Sequence, residues 1–138
     1  MRDPLSLIGV PYVLESSDPA VGLDCWTLVE YVRRECFARR TCAVPPRSHS
    51  TVNAAHAIAH ARRRFEWQRI AIPGFPGSVV GMSISARLPL HHVGIALEGG
   101  VLHAWAGPSS GGVGSVVLTP WPRLAQSFKQ IEVYECLD

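Results

Sequence analysis

The chain has 138 residues, of which 47% are hydrophobic and 17% are charged, and its formal net charge is +2. This length suits one domain with a substantial core, and the composition is that of a compact globular protein rather than a disordered one. The small net charge argues against nucleic acid as a partner, and no apolar run is long enough to span a membrane.

The N-terminal residues lack the features of a signal peptide. The apolar stretch LSLIGVPYV is short and is interrupted by Gly9 and Pro11. We therefore expect the protein to be cytoplasmic when it is made. The cysteines lack CxxC spacing, so reduced thiols are expected rather than a zinc or redox site; they are Cys25, Cys36, Cys42 and Cys136.

Two helices are predicted in the first half of the chain. Asp24 is a suitable N-cap for residues 24–38, in which apolar residues recur at the spacing of one helical face. The alanine-rich residues 51–65 predict a second helix. We interpret the arginine clusters within residues 33–40 and 62–64 as solvated helix faces.

The second half of the chain predicts strands. Residues 92–97 and 101–105 form the clearest hairpin, because a short turn with two glycines separates two apolar runs. Further strands are predicted at residues 78–84, 115–120 and 130–137. Helices followed by four or so strands with short connections predict an α+β fold with an antiparallel sheet, in one domain over residues 1–138.

Cys25 is the strongest candidate for a nucleophile. It directly follows the N-cap Asp24, so it lies in the first turn of a helix, where unpaired amides favour a thiolate and lower the thiol pKa. The alternative is a buried structural cysteine. The other three cysteines are interpreted as structural, on a helix face, in a linker and in the last strand.

Histidines of the predicted hairpin are candidates for the base. His92 and His103 lie on paired strands, within about one residue of facing each other, so one can orient the other. Strand alternation sends His91 and His92 to opposite faces, and the turn register leaves the choice between them open.

Metal binding is a competing use of the same residues. Cys25, His92 and His103 are all residue types that ligate zinc, and His56 and His60 have i, i+4 spacing on the second helix. No acidic residue accompanies that helical pair, which we interpret as part of a polar helix face. Metal catalysis and cofactors are therefore not expected.

Four segments in order resemble the NlpC-type cysteine peptidases, bacterial cell-wall hydrolases with a papain-like core. The first, residues 9–32 (GVPYVLESSDPAVGLDCWTLVEYV), resembles the nucleophile region. The others are GSVVGM at residues 77–82, HVGIALEGG at residues 92–100 and VLHAW at residues 101–105. The resemblance runs through about residues 8–120 and implies a papain-like fold, with the N-terminal helices packed on the sheet.

The resemblance implies a role for each candidate residue. Cys25 is the nucleophile, His92 rather than His91 is the general base, and His103 orients it. Tyr12 and the Cys25 backbone amide bind the substrate or the oxyanion. The implied substrates are peptidoglycan stem peptides, typically cut between D-glutamate and a diamino acid. Trp26 after the nucleophile resembles the phage tail assembly branch, which implies a phage or prophage tail setting and phage tail proteins as partners.

The sequence also departs from the family pattern. Residues 14–17 (LESS) replace a WGG-like run, Thr27 replaces a small residue, and Ser78 stands where aspartate is common. Residues 42–75 form a longer segment than usual beside the cleft. These departures leave two alternatives: a non-hydrolytic tail assembly module that retains the fold, or another acyl-transfer enzyme, such as an amidase or transferase.

Overall fold

The fold is described from a computed structural model over residues 2–40, 51–64, 67–105 and 114–136. After a 3₁₀ turn at Pro4–Leu7, these residues form three helices and six strands. The helices are α1 (Cys25–Phe37), α2 (Thr51–Arg64) and α3 (Trp121–Ser127). The strands are β1 (Trp67–Ile70), β2 (Val79–Ser83), β3 (His92–Leu97), β4 (Gly100–Trp105), β5 (Ser115–Thr119) and β6 (Gln130–Cys136).

The strands form one antiparallel sheet in the order β1-β6-β2-β3-β4-β5. This arrangement confirms the predicted α+β class, the two N-terminal helices and the β3–β4 hairpin. A two-residue turn at Glu98 and Gly99 joins the hairpin strands, and Gly99 adopts a φ of 90° that favours glycine.

Helices cover both faces of the sheet. α1 packs on the face that carries Val93, Ile95 and Leu102. On the opposite face, Ala96 and Val101 pack with Leu124 and Phe128, which lie in and just after α3. The central strands are therefore buried on both sides, and any polar side chain on them is withdrawn from water.

Two elements were absent from the sequence prediction. β1 has four residues with an exposed polar centre, Gln68 and Arg69, so it lacks an apolar alternation. α3 has seven residues, too few to show helical periodicity, and lies between β5 and β6. The predicted order of helices first and then four or so strands is thus wrong in both respects.

Arg33 corrects the interpretation of its cluster as a solvated helix face. Its side chain is only 1% exposed and donates to the carbonyls of Arg40 and Gly77 and to the Glu135 carboxylate. Ser78 donates to the same carboxylate, as does Arg39. Glu135 thus supplies a carboxylate beside Ser78, the position where the family pattern has aspartate.

α2 matches its prediction closely. His56 and His60 are exposed on it, as expected for a polar helix face. Within the described ranges, no helix is long and apolar enough to cross a membrane. The predicted linker at residues 42–48 and most of the glycine-rich residues 107–114 lie outside the described residues.

Candidate active site

Cys25 is the first residue of α1, and a complete capping box fixes its position. Asp24 Oδ1 accepts the backbone N–H groups of Trp26 and Thr27 at 2.9 and 2.8 Å, and Thr27 Oγ1 accepts the Asp24 N–H at 2.9 Å. Asp24 Oδ2 also accepts the Glu15 N–H at 2.8 Å, which ties the preceding loop to the helix start. The predicted N-cap is confirmed.

The backbone pairing of β3 with β4 ends before the first residue of β3. The pairing of β3 with β4 runs from Leu97–Gly100 to Ile95–Leu102 and stops there, although β3 begins at His92 and β4 ends at Trp105. Past that point the Val93 N–H faces the Cys25 sulfur and favours the thiolate. The thiol of α1 therefore meets β3 one residue from His92.

His92 and His103 form a buried hydrogen-bonded pair. His92 Nε2 lies 2.8 Å from His103 Nδ1. The β3–β4 pairing ends at Ile95–Leu102, before it reaches either histidine. The 2.8 Å contact agrees with the expectation that the two histidines nearly face each other across the hairpin.

The pair continues to a third strand. His103 Nε2 lies 2.9 Å from Thr119 Oγ1, at the end of β5. Thr119 is not among the residues that the sequence predicts for the site, because the nine residues between β4 and β5 leave the register of these strands undetermined. The structure pairs Val101 with Thr119, so Thr119 is the diagonal neighbour of His103.

Aromatic rings enclose His92, which is 5% exposed. Its ring stacks on Phe128 with centroids 5.5 Å apart and an interplanar angle of 8°, and Trp105 lies 4.9 Å away. Burial, together with the charges of His103 and His91, holds the pKa of His92 well below its ordinary value. Burial lowers the pKa of His103 to about 4, so both imidazoles are neutral near neutral pH.

The thiol of Cys25 is protonated in this environment. Burial, with the charge of Asp24 as a second cause, raises its pKa to about 12. The N–H groups of Val93, Trp26 and Cys25 itself oppose this rise without cancelling it. The expected lowering by the helix start is therefore wrong, since desolvation outweighs the amides. Attack by this sulfur requires a base that removes its proton as the new bond forms.

Tyr12 reaches the site because the N-terminal segment runs along the edge of β5. Val116 exchanges backbone hydrogen bonds with Gly9 and Val10, and the Tyr12 N–H donates to the Gly114 carbonyl at 2.8 Å. Burial and the charges of Cys25 and Asp24 raise the pKa of the Tyr12 phenol. The hydroxyl therefore remains a hydrogen-bond donor beside Cys25.

His91 is directed elsewhere. Its Nε2 accepts the Ile84 N–H at 3.2 Å, and its own N–H donates to the Met82 carbonyl at 3.0 Å. These bonds close the loop at residues 84–90. The hydrogen-bonded histidine pair thus contains His92 and not His91.

Two of the remaining cysteines lie on described elements. Cys36 is a buried free thiol on α1, and Cys136 ends β6. Cys42 lies outside the described residues. Across residues 2–40, 51–64, 67–105 and 114–136, no group of three or more His, Cys, Asp or Glu side chains is arranged to hold a metal ion.

Comparisons with known proteins point to one fold. No family model matches the chain, and no curated protein matches it. Among solved structures, it is similar to the crystal structure of the NlpC/p60 domain of the peptidoglycan hydrolase SagA, with a TM-score of 0.55 and 22% sequence identity. The match covers 94% of this chain and 91% of that one. It confirms the NlpC-type, papain-like fold.

Proposed function

We propose that this protein is a cysteine hydrolase that cleaves amide bonds with Cys25, His92 and His103. The observation that carries the proposal is the buried, hydrogen-bonded His92–His103 pair on β3 and β4, together with the Val93 N–H of β3 that faces the Cys25 sulfur. Nucleophile, base and orienting group lie in this order in known thiol hydrolases.

The proposed reaction begins from a neutral thiol and a neutral imidazole. His92 Nε2 is engaged by His103, so Nδ1 removes the Cys25 proton while the sulfur attacks the carbonyl carbon. The oxyanion accepts hydrogen bonds from the Cys25 N–H and the Tyr12 hydroxyl. When the C–N bond breaks, imidazolium returns the proton to the leaving amine. A water molecule, deprotonated by His92, then hydrolyses the thioester and releases the acid and the thiol.

The proposed substrate is a peptide of peptidoglycan. The fold neighbour is a domain of a peptidoglycan hydrolase, and the four sequence segments resemble the same class of enzyme. Cleavage between D-glutamate and a diamino acid stays a prediction from that resemblance, as does a phage or prophage tail setting with tail proteins as partners. Cytoplasmic synthesis also stays a prediction.

The test is to incubate the protein with muropeptides of defined composition and analyse the products by mass spectrometry. We expect a new amine and a new acid from one amide bond, and loss of this activity in Cys25→Ala. Cys36→Ala, which removes the other buried thiol of α1, should retain it. A Cys25→Ala protein that cuts as fast as the unmodified protein would refute the proposal. Products joined to an added amine would indicate a transferase instead.

One observation favours a second function, a non-hydrolytic assembly module. Cys25 is only 8% exposed, which limits access of a substrate to its sulfur. Its thiol is also protonated, which makes the sulfur a weaker nucleophile. If the protein is such a module, we expect that it does not cleave muropeptides. We also expect that alkylation of Cys25 leaves the binding of tail proteins unchanged.

A further inference from the structure

We propose that Thr119 is a positioning residue whose hydroxyl fixes the tautomer of His103 and, through it, the orientation of His92. The inference deepens the proposed thiol hydrolase function and rests on it for its consequence in catalysis. Thr119 touches neither the thiol nor the attacked bond. It acts two hydrogen bonds away from the reacting atoms.

The direction of the hydrogen bonds follows from the charged state of His92. Once His92 has taken the Cys25 proton, both of its ring nitrogens carry hydrogen, so Nε2 can only donate. The atom 2.8 Å away, His103 Nδ1, must therefore accept. A neutral His103 that accepts at Nδ1 carries its proton at Nε2.

The proton on His103 Nε2 then needs an acceptor, and Thr119 Oγ1 lies 2.9 Å from that nitrogen. A hydroxyl oxygen has lone pairs to accept this bond while it donates its own hydrogen elsewhere. The chain therefore runs in one direction, from His92 to His103 to Thr119. In this arrangement Nδ1 of His92 carries no hydrogen and can accept the proton of the Cys25 thiol.

Because His103 is buried, its Nε2–H tautomer depends on an acceptor that the protein supplies. His103 is 1% exposed, and its pKa of about 4 keeps it neutral, so only the position of its single proton is at issue. With the hydroxyl removed, the Nε2–H of the buried His103 loses its protein acceptor at a part-buried hydrogen bond. The population of the His103 Nδ1–H tautomer then rises. When His92 becomes charged, its Nε2–H points at the Nδ1–H of His103, and the two N–H groups repel each other.

The strand pairing holds Thr119 in place. Thr119 pairs with Val101 across β4 and β5. Beside it, a Cβ on Gly100 would lie 2.4 Å from the Thr119 carbonyl oxygen, so the two backbones approach as closely as glycine permits. The hydroxyl is thus carried by a tightly packed strand end rather than by a free loop.

The experiment compares Thr119→Val, which keeps the side-chain shape without the hydroxyl, with Thr119→Ser, which keeps the hydroxyl. Imidazole ¹H–¹⁵N NMR correlation spectra, with His103→Asn used for assignment, report the tautomer without any substrate. We expect His103 protonated at Nε2 in the unmodified protein and in Thr119→Ser, and a shift towards Nδ1 protonation in Thr119→Val. A wild-type His103 protonated at Nδ1, or an unchanged tautomer in Thr119→Val, would overturn the inference.

Two kinetic measurements then test the consequence. The rate of Cys25 alkylation by iodoacetamide, followed by peptide mass spectrometry, should fall roughly 10- to 100-fold in Thr119→Val and stay within about 3-fold in Thr119→Ser. With muropeptides, the loss should appear in kcat with little change in KM. A loss confined to KM would contradict the role.

If the unmodified protein cuts no muropeptide but the tautomer result holds, the proposed function fails and the role of Thr119 stands. Thermal unfolding of each variant separates these results from misfolding.

Discussion

At the scale of single residues, removal from water governs the chemistry of the site. Burial raises the pKa of the Cys25 thiol and lowers the pKa of the His92 imidazole. Both shifts favour the uncharged form of each group. A neutral imidazole is the form that removes a proton, and a buried thiol is a poor nucleophile until that happens. The position of the histidine pair therefore matters more than a preformed thiolate.

Gly94 is a residue on which that position depends. It lies on β3 beside His103, and a Cβ added there would lie 3.0 Å from His103 Cβ, 2.9 Å from the Leu102 carbonyl oxygen and 2.8 Å from Val101 Cγ1. We expect Gly94→Ala to displace His103 and to lower kcat by roughly 100-fold, since misplacement by about 1 Å has this effect on a catalytic group. Muropeptide kinetics measure the change in kcat, and the NMR signals of His92 and His103 report the displacement.

Gly81→Ala is the matched control for this substitution. There the added Cβ would meet only the side chain of Leu90, with the nearest atom at 2.9 Å, and a flexible side chain can move. We expect its activity to stay within about 3-fold of the unmodified protein. Equal losses in the two variants would contradict the role given to Gly94.

At the scale of elements, α1 is anchored at both ends by buried polar groups. Asp24 caps its start, which sets the place of Cys25. Near its end, Arg33 connects the helix to the β6 residue Glu135 with a hydrogen bond of 3.1 Å, and to the Gly77 carbonyl with one of 2.7 Å. The helix that carries the thiol is thus attached to the sheet independently of its apolar face.

Removing the Arg33 side chain tests this anchor. Arg33→Ala should lower the free energy of unfolding by about 3–5 kcal/mol, because it leaves the half-buried Glu135 carboxylate with fewer partners and opens a cavity. Arg34→Ala is the matched control, since that neighbouring side chain is 55% exposed and should change stability by less than about 1 kcal/mol. Urea unfolding followed by circular dichroism measures both. Equal changes in the two variants would contradict a buried anchor.

At the scale of the whole molecule, a two-sided core surrounds the histidine pair, and stability should therefore depend on pH. The pKa of His103 falls from 6.5 in the unfolded chain to about 4 in the fold, and that of His92 falls in the same direction. The unfolded chain thus binds more protons than the folded protein as soon as the pH drops below 6.5. The stabilisation is complete above pH 6.5 and is lost as the pH falls towards 4.

We expect the free energy of unfolding to decrease by roughly 3 kcal/mol from His103 alone over that interval. Urea unfolding at several pH values measures the decrease. In His103→Asn, which has no titrating group at this position, the decrease between pH 6.5 and about 4 should be smaller when each protein is compared with its own stability above pH 6.5. An identical decrease in both proteins would contradict the assignment.

The local features of this protein follow from residues that are neighbours in the chain. The Asp24 cap and the spacing of apolar residues specify α1, and the two-glycine turn specifies the β3–β4 hairpin, because each depends on residues close in the chain. The same segments point to Cys25, to His103 and to one of His91 and His92, and the family resemblance adds Tyr12 and the choice of His92. How distant segments meet is visible in the three-dimensional fold alone. Strand register and desolvation decide four features: where the β3–β4 pairing ends, the contact between His103 and Thr119, the burial of Arg33 and the rise in the Cys25 pKa. These are sums over contacts between residues far apart in the chain, and no local pattern records them.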